Sequence, residues 1–379
     1  MHNIIPKKIE INEKKVTLAV AGKFHAFHLA SEYASMHKLS TLYAAHRTIM
    51  PPKNLTKQQY KNRVDLAIGV HISARLPIFS MTHAKKDEIF DAWMVNNLKH
   101  KETGILHSWN GNSYKTFNSL KGTDWLKCVE RSCPYNMYQH ELLSAEADFL
   151  NVEYVKDLSS LAREIEELYL SDVIVSPSQY SANTYKDPEL IKKVKINPLG
   201  ANIKYIEREA RKPTFIVLMV GNYFLRKGAH YLIEAFKLIE RSDAELWIRG
   251  DVPNEYSKRI NDKRVKIIPP VLPDKLIELY QTADVFVQPS IDEGFGMTVL
   301  EALAFGLPLV VTENVGAKDL LNNQVSITVP IKSPEALAEA ILRAIEMPSK
   351  TFDDARKKVL DQVSWSRCAQ RMLETVYVG

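Results

Sequence analysis

The sequence predicts an α/β protein of two domains, each built on a parallel sheet that carries helices on both faces. Short apolar runs, typical of buried strands, alternate along the chain with longer stretches of helical spacing. The chain has 379 residues, of which 45% are hydrophobic, and this length is enough for more than one core. Two of the strands also run directly into glycine-containing turns followed by helices, an arrangement that places ligands at the carboxyl edge of a sheet.

In the first half, strands are predicted where apolar residues run together, and helices where they recur with helical spacing. Gly22 follows the first strand, so its backbone can approach a ligand closely. The predicted strands are 15–21, 104–109, 125–129, 172–176 and 194–198, and the predicted helices are 25–37 and 161–170.

The second half continues the alternation. Gly306, with Pro308 after it, predicts the end of the helix at 298–305. The charged stretch 203–213 is typical of a linker between domains. The predicted strands are 214–220, 244–250, 265–268 and 283–288, and the predicted helices are 230–239, 298–305 and 368–377.

Composition is that of an ordinary intracellular enzyme. No apolar run reaches the roughly 18 residues of a membrane span, and residues 1–13 are too mixed and charged for a signal peptide. The three cysteines, Cys128, Cys133 and Cys368, are too few and too oddly spaced for a disulfide framework or a zinc knuckle. We therefore expect reduced thiols in a cytoplasmic protein.

Positive charge is concentrated near the N-terminus. Residues 1–100 hold 15 basic against 7 acidic residues, a net charge of +8, whereas residues 201–379 hold 24 of each. A basic face suits an anionic membrane surface or a diphosphate-linked acceptor. Nucleic acid is not expected, because no recognised binding motif accompanies the charges. Solvated lysines without a partner are the alternative. The basic residues include Lys7, Lys8, Lys14, Lys15, Lys23, Lys53, Lys57, Lys61, Arg63, Lys85 and Lys86.

The most informative segment surrounds two glutamates separated by seven residues. Glu293 precedes a Gly-Phe-Gly turn, and Glu301 lies about one turn into the helix that follows. A helix that begins after a strand and a glycine turn presents free amide N–H groups and the positive end of its dipole. This site is expected to bind a phosphate or sugar hydroxyls; an ordinary βα unit with solvated carboxylates is the alternative. The loop residues concerned are Gly294, Phe295, Gly296, Met297 and Thr298.

A second loop carries two cations. The predicted strand 214–220 runs into a glycine turn that contains Arg226 and Lys227, with a helical pattern behind it. Two fixed cations suit a departing diphosphate, because negative charge grows on its oxygens during transfer. A pair of solvated surface cations is the alternative.

Together these two segments resemble the Glu-x7-Glu signature of the retaining GT-B glycosyltransferases of family 4. The matching pieces lie within 288–302, 306–308, Gly316, the glycine–lysine loop and residues 232–236. The resemblance covers 172–379 well and 1–171 only in outline. It implies two Rossmann-like doubly wound domains facing a cleft, with the C-terminal helix crossing back to the first domain. The implied domains are an acceptor-side domain at 1–200 joined by 363–379, and a donor-binding domain at 201–362.

The resemblance also implies roles for individual residues. Glu293, Lys227 and Arg226 are implied to be catalytic. Many relatives place an arginine directly after the first glycine of the cationic loop, where this chain has Asn222, and Arg226 is then expected to supply that charge. The implied donor-binding residues are Gly22, Asn222, Val271, Gly294, Phe295, Gly296, Met297, Thr298 and Glu301.

The first half is less informative. Relatives often carry a histidine near the donor sugar after a later N-terminal strand, and the corresponding region here, 128–134, has none. Lys23, beside Gly22, and His107 are the nearest candidates for the acceptor or donor-sugar side. For His107, and for His25 beside Gly22, a structural role is favoured over a catalytic one.

The function implied is transfer of a sugar, with retention, from a nucleoside-diphosphate donor to a glycan or lipid-diphosphate-linked acceptor, in polysaccharide or glycoconjugate biosynthesis. UDP-sugar is favoured ahead of GDP-sugar. No Asp-x-Asp motif or metal-ligand spacing occurs, so neither a metal nor a cofactor is expected. The competing interpretation is a non-catalytic GT-B subunit that binds a nucleotide sugar, which Asn222 and the missing histidine favour. A sugar-nucleotide epimerase is a third interpretation, although such relatives lack this glutamate pairing.

Overall fold

The fold consists of two parallel sheets, each flanked by helices, as the sequence predicts. In this computed structural model the described residues are 14–75, 81–98, 103–154, 157–201, 205–206, 214–222, 224–258, 260–348 and 350–378. The predicted linker 203–213 and the first thirteen residues lie mainly or wholly outside them.

The first sheet has seven strands in the order β3-β2-β1-β4-β5-β6-β7, all parallel. The strand order reverses between β1 and β4, so the loops that follow these two strands open a crevice at the carboxyl edge. Every residue of β1 is buried, because helices cover both faces. The strands are β1 (Val16–Val20), β2 (Leu39–Ala44), β3 (Tyr60–Asn62), β4 (Ile105–Trp109), β5 (Leu126–Glu130), β6 (Val173–Ser176) and β7 (Val194–Ile196).

The second sheet has six parallel strands in the order β10-β9-β8-β11-β12-β13. Its order reverses between β8 and β11. All six residues of β8 are buried, consistent with an uninterrupted apolar run in a sheet covered on both faces. The strands are β8 (Phe215–Val220), β9 (Ala244–Arg249), β10 (Val265–Ile268), β11 (Val285–Gln288), β12 (Leu309–Thr312) and β13 (Ser326–Val329).

Helices connect the strands in both halves. Those of the first half are α1 (Ala26–Ser35), α2 (Val64–Arg75), α3 (His83–Asn97), α4 (Tyr114–Ser119), α5 (Asn136–Leu150), α6 (Leu158–Leu170), α7 (Gln179–Ala182) and α8 (Pro188–Ile191). Those of the second half are α9 (Phe224–Lys227), α10 (Ala229–Lys237), α11 (Asn254–Ser257), α12 (Pro273–Thr282), α13 (Met297–Ala304), α14 (Pro334–Ala344), α15 (Lys350–Asp361) and α16 (Trp365–Arg371), the last continuing as a π-helical turn, Met372–Val376.

The C-terminal segment crosses back to the first sheet. The amide of Ala201 donates to the carbonyl of Val363 at 2.7 Å, and a side chain on Gly200 would come within 2.6 Å of the Trp365 Cα. α16 packs on α1, and the Tyr377 hydroxyl bonds the Tyr33 hydroxyl of that helix at 3.0 Å. The first core is therefore completed by residues from the end of the chain.

Candidate active site

The candidate site lies at the carboxyl ends of β8 and β11, the neighbouring strands between which the order of the second sheet reverses. The loop after β8 contains α9 with both cations, and the loop after β11 contains Glu293 and begins α13. The fold thus brings together two segments that the sequence separates by more than sixty residues. Crevices at such reversals are the usual ligand sites of open α/β sheets.

Glu293 is held between the two cations of the other loop. The Lys227 ammonium donates to one carboxylate oxygen, and the Arg226 guanidinium lies 3.6 Å from the other. Glu293 and Lys227 are both nearly buried, at 8% and 7% exposed. Burial alone would raise the pKa of Glu293, but Lys227 and Arg226 together hold that pKa below its ordinary value. The carboxylate is therefore charged and fixed at neutral pH.

Glycines set the geometry of both loops. Gly228 has a φ of +65°, and a Cβ there would lie 2.1 Å from the carbonyl oxygen of Pro289 in the other loop. Because glycine permits this approach, the Arg226 carbonyl can accept from the Ile291 amide at 3.1 Å. Gly296, with a φ of +99°, is the N-cap of α13. The cationic loop and the glutamate loop are thus tied backbone to backbone.

Amide donors are available where α13 begins. Within the described residues, the N–H groups of Gly296, Met297 and Thr298 have no backbone acceptor. The Thr298 hydroxyl donates to the Gln288 side chain at 3.0 Å, which links the helix start to the end of β11. Free amides at a helix N-terminus bind anions and hydroxyls. These groups therefore stand ready beside Glu293 for a ligand.

Asp292, directly before Glu293, connects the glutamate loop to the first half. The Gln139 amide donates to one of its oxygens at 2.5 Å, and the Tyr180 hydroxyl donates to the other at 2.9 Å. Burial raises the pKa of Asp292 despite these bonds and the nearby Arg226. Sequence reasoning did not select Asp292, because its partners come from α5 and α7 and no local pattern marks them.

The same loop touches the first half closely at Gly294. A Cβ on this residue would lie 2.2 Å from the Ser132 carbonyl oxygen, which follows β5. The Ser178 hydroxyl, just before α7, donates to the Gly294 carbonyl at 2.7 Å. Glycine is therefore required at this position for the loops of the two sheets to meet. Phe295, which follows, is buried.

Glu301 lies on α13, further from the cations. The Tyr280 hydroxyl donates to its carboxylate at 2.9 Å, and the Tyr280 ring stacks on Phe305 with ring centres 5.3 Å apart. Burial, and next Glu301, raise the pKa of the Tyr280 hydroxyl well above its ordinary value, so it stays a proton donor. This bond orients Glu301, which is half-buried and keeps room for a second partner.

Asn222, the residue after Gly221, lies beside the Arg249 cation. Asn222 accepts from the Arg249 guanidinium at 3.1 Å, and Arg249 ends the neighbouring strand β9. Arg249 was not selected from the sequence, since it stands 27 residues from Asn222. Val271 is half-buried and follows β10 at the same edge of the sheet.

The first-half candidates differ in their exposure. His107 is fully buried, with one ring nitrogen 2.7 Å from the Tyr377 hydroxyl and the other 3.3 Å from Glu130. With no exposed surface it cannot contact a substrate in this arrangement, so its role as a site residue is not supported. Lys23 is exposed and Gly22 is half-buried at the end of β1, where a ligand can reach them.

Glu130, a buried acid at the end of β5, lies between His25 and His107. Glu130 lies 2.5 Å from a ring nitrogen of His25 as well as beside His107. Burial would raise the pKa of Glu130, but His25 and His107 hold it well below its ordinary value. The Ser132 hydroxyl also donates to Glu130 at 2.8 Å, so this network reaches the loop that touches Gly294. No local pattern in the sequence marks this network, because its members lie on separate elements.

The described residues offer neither a metal site nor a membrane-spanning helix. They contain no group of three or more His, Cys, Asp or Glu side chains arranged to hold a metal ion. None of their helices combines the length and the apolar character that crossing a bilayer requires.

Comparison with known proteins finds similar chains and similar folds. The family described as Glycosyl transferases group 1 matches residues 203–359, which include the whole candidate site of the second sheet. An uncharacterized glycosyltransferase of Methanocaldococcus jannaschii is 33% identical over 174 residues, 43% of this chain and 44% of that protein. The chain therefore matches less than half the length of that relative.

Solved structures resemble the chain over nearly all of its length. Sucrose-phosphate synthase from Thermosynechococcus elongatus superposes with a TM-score of 0.67 and 18% identity, covering 95% of this chain and 97% of that one. The Anabaena HepE protein, solved in complex with UDP and glucose, gives a TM-score of 0.61 and 16% identity, covering 96% and 99%. These likenesses establish the fold. The chain therefore has the GT-B fold, and its second half carries the signature of the group 1 glycosyltransferases.

Proposed function

We propose that the chain transfers a sugar from a nucleoside-diphosphate donor to an acceptor, with retention of anomeric configuration, as a member of family 4. The observation that carries the proposal is the placement of Lys227 and Arg226 around Glu293, beside the free amides of Gly296 to Thr298. Fixed cations and dipoles aimed at a leaving group are the largest contributions that a protein makes to such reactions.

The ion pair suggests how donor binding activates the site. In the ligand-free chain Lys227 and Arg226 neutralise Glu293. A bound diphosphate offers both cations more negative charge than one carboxylate does, so they turn toward its oxygens. Glu293 is then left facing the donor sugar, where its charge stabilises the positive charge that develops at the anomeric carbon. The amides at the start of α13 hold the remaining oxygens, and no divalent ion is needed.

Glu301 suits the nucleoside end of the donor. Its carboxylate, oriented by Tyr280, accepts hydroxyl groups of a ribose, and the backbone around Val271 lies against the base. UDP is the first candidate because the Anabaena neighbour was solved with UDP, and GDP is the second. Residues 201–362 form the proposed donor domain, and residues 1–200 with 363–379 the acceptor domain.

The acceptor is proposed to be a glycan or a lipid-diphosphate-linked glycan that enters from the first sheet. Three large apolar side chains are exposed on loops at its carboxyl edge, Phe24 at 63%, Ile49 at 76% and Met50 at 69%. Lys23 and Arg47 lie next to them in the sequence and are exposed. Apolar side chains among cations are typical of peripheral contact with an anionic membrane. We accordingly propose a cytoplasmic protein that works at the membrane face, in polysaccharide or glycoconjugate biosynthesis.

A non-catalytic subunit that binds a nucleotide sugar is the second candidate. Asn222 and the lack of a histidine in residues 128–134 favour it, because neither place supplies the group expected from relatives. Arg249 beside Asn222 weakens this argument, since it brings a cation to the same place.

Two measurements test the proposal. Thermal shift with UDP, GDP and ADP comes first, because a ligand at 100 times its Kd stabilises a protein by about 2.7 kcal/mol. Hydrolysis of the matching nucleotide sugar is then followed in the absence of acceptor. A shift with hydrolysis, abolished in Lys227→Met, supports the enzyme. A shift without hydrolysis or transfer supports the non-catalytic subunit, and no shift with any nucleotide contradicts both.

A further inference from the structure

A polar cavity separate from the candidate active site lies beside the first sheet, away from Lys227 and Glu293. It has a volume of about 410 Å³ and opens at the carboxyl ends of β1 and β2, between these strands and the helices α2 and α3. Its floor is partly apolar, from Ala45, Ala67 and Val70. The polar residues that line it are Gly22, His46, Arg47, His71, His83 and Lys86.

The cavity has an excess of positive charge. Arg47 and Lys86 contribute full charges, and among the lining residues there is no aspartate or glutamate. The Lys86 ammonium is anchored by the Ala21 carbonyl, and it lies 3.3 Å from Asp87, a neighbour outside the lining. Arg47 is exposed, and no carboxylate of the described residues forms an ion pair with it. One guanidinium therefore stands available to an incoming anion.

The pKa values of two histidines are consistent with this positive charge. Burial, and then Lys23 and Arg47, lower the pKa of His46, while burial and Lys86 lower the pKa of His83. A nearby cation disfavours the protonated imidazole, so Lys23, Arg47 and Lys86 add to the effect of burial, in agreement with the positive charge of the cavity. A bound anion would relieve it and raise both pKa values.

We propose that this cavity binds the phosphoryl group of the acceptor. A phosphoryl group presents three oxygens, which match the Arg47 fork, the Lys86 ammonium and neutral imidazole N–H donors. The identification of the ligand as the acceptor rests on the proposed function, whereas the anion site itself does not. Its position on the first sheet separates it from the cations of the second sheet, which are assigned to the donor.

Two sources of such a phosphoryl group are compatible with the surroundings. A further cavity of about 510 Å³ lies along α2, lined by Ile68, Ile72 and Met81 with Asp65 and Lys85 at its side. Ile68 and Ile72 are exposed at 44% and 37%, so this groove can receive an apolar tail. A lipid phosphate would place its phosphoryl group in the basic cavity and its tail along α2, and a soluble sugar phosphate would use the basic cavity alone.

The test measures binding to the full chain by calorimetry, with inorganic phosphate, glucose 6-phosphate, and phosphatidylcholine vesicles with or without an isoprenoid phosphate. Arg47→Gln removes a charged hydrogen-bonding group and should weaken phosphate binding about tenfold or more. Ala67→Leu, which fills the cavity from α2, should weaken it without changing charge. Lys57→Gln is the matched control, since Lys57 is exposed on the 3-10 turn before β3, outside the cavity, and should change little.

Each result of these binding measurements either supports or contradicts the anion site. Binding of glucose 6-phosphate in solution supports the proposal with a soluble acceptor, and binding only to vesicles that carry the isoprenoid phosphate supports it with a lipid acceptor. Failure of every probe to bind overturns it, as do equal losses in Arg47→Gln and Lys57→Gln. Loss of nucleoside-diphosphate affinity in Arg47→Gln also overturns it, because the cavity would then belong to the donor. If phosphate binds while no nucleoside diphosphate does, the proposed function fails and the anion site stands.

Discussion

Breaking the ion pair between Lys227 and Glu293 should destabilise the chain much more than removing both charges. The two side chains are 9% and 10% exposed, so Lys227→Met leaves a carboxylate without its main partner in a site that water barely reaches. Removing one member of a buried pair costs about 3–5 kcal/mol. Arg226 remains 3.6 Å from the other oxygen of Glu293, which places the expected loss near the lower limit, about 3 kcal/mol.

A double-mutant cycle measures this coupling. Glu293→Gln alone strands the ammonium and should cost a similar amount, whereas Lys227→Met with Glu293→Gln removes both charges of the pair and should lie within about 1 kcal/mol of wild type. Urea unfolding followed by circular dichroism gives the four free energies. Lys275→Met is the control, because Lys275 pairs with Glu278 on the surface, at 60% and 57% exposed, and should cost less than about 1 kcal/mol. Additive losses in the double variant would refute the reasoning.

The pH dependence follows from the same pair. The pKa of Glu293 is lower in the folded chain than in the unfolded one. The pair therefore contributes fully above the unfolded value, about pH 4.3, and its contribution disappears as the pH falls through the folded value. The difference in unfolding free energy between wild type and Lys227→Met should shrink across that acid range. A difference that stays constant there would show that the charge of Glu293 is not its source.

Three further predictions concern activity. Glu301→Gln should mainly raise KM for the donor and weaken nucleoside-diphosphate binding by about 1–3 kcal/mol, whereas Glu293→Gln should mainly lower kcat. Kinetics and calorimetry on both variants check this, and the opposite pattern would mean that the two roles are reversed. Activity should survive excess EDTA, and loss on chelation restored by magnesium or manganese would contradict a metal-independent reaction. Gly294→Ala should lower kcat and leave nucleotide affinity unchanged, because its Cβ would lie 2.2 Å from the Ser132 carbonyl oxygen and push the two loops apart. An unchanged kcat would show that the contact between these loops is not needed.

The sequence predicted the strands that are apolar throughout. β8 and β11 are buried along their whole length, so their runs are uninterrupted and easily recognised. β2 and β13 were missed because Ser, Thr or half-buried positions interrupt them, and packing against a neighbouring strand, rather than local composition, makes them strands. β12 was also missed, although its four residues are all buried like those of β11, so burial along a whole strand does not by itself make the strand recognisable.

The candidate site was predictable only where its residues are close in sequence. Glu293, Glu301 and the start of α13 lie within one strand–turn–helix unit, whose local chemistry marks it. The partners of Asp292 stand 153 and 112 residues away, so only the packing of the two halves reveals them. The burial of His107 depends in the same way on Tyr377, 270 residues further on.

The crossing of the C-terminal segment has a consequence during protein synthesis. Tyr377 supplies hydroxyl contacts to Tyr33 and His107, and Cys368, Ala369 and Met372 fill the same core. The first sheet can therefore pair its strands early, but its core stays open until residues 365–377 leave the ribosome. At 5–20 residues per second, that delay is on the order of ten to thirty seconds. During this interval the apolar surface of α1 awaits a helix that has not yet been made, and it is then a natural target for chaperones.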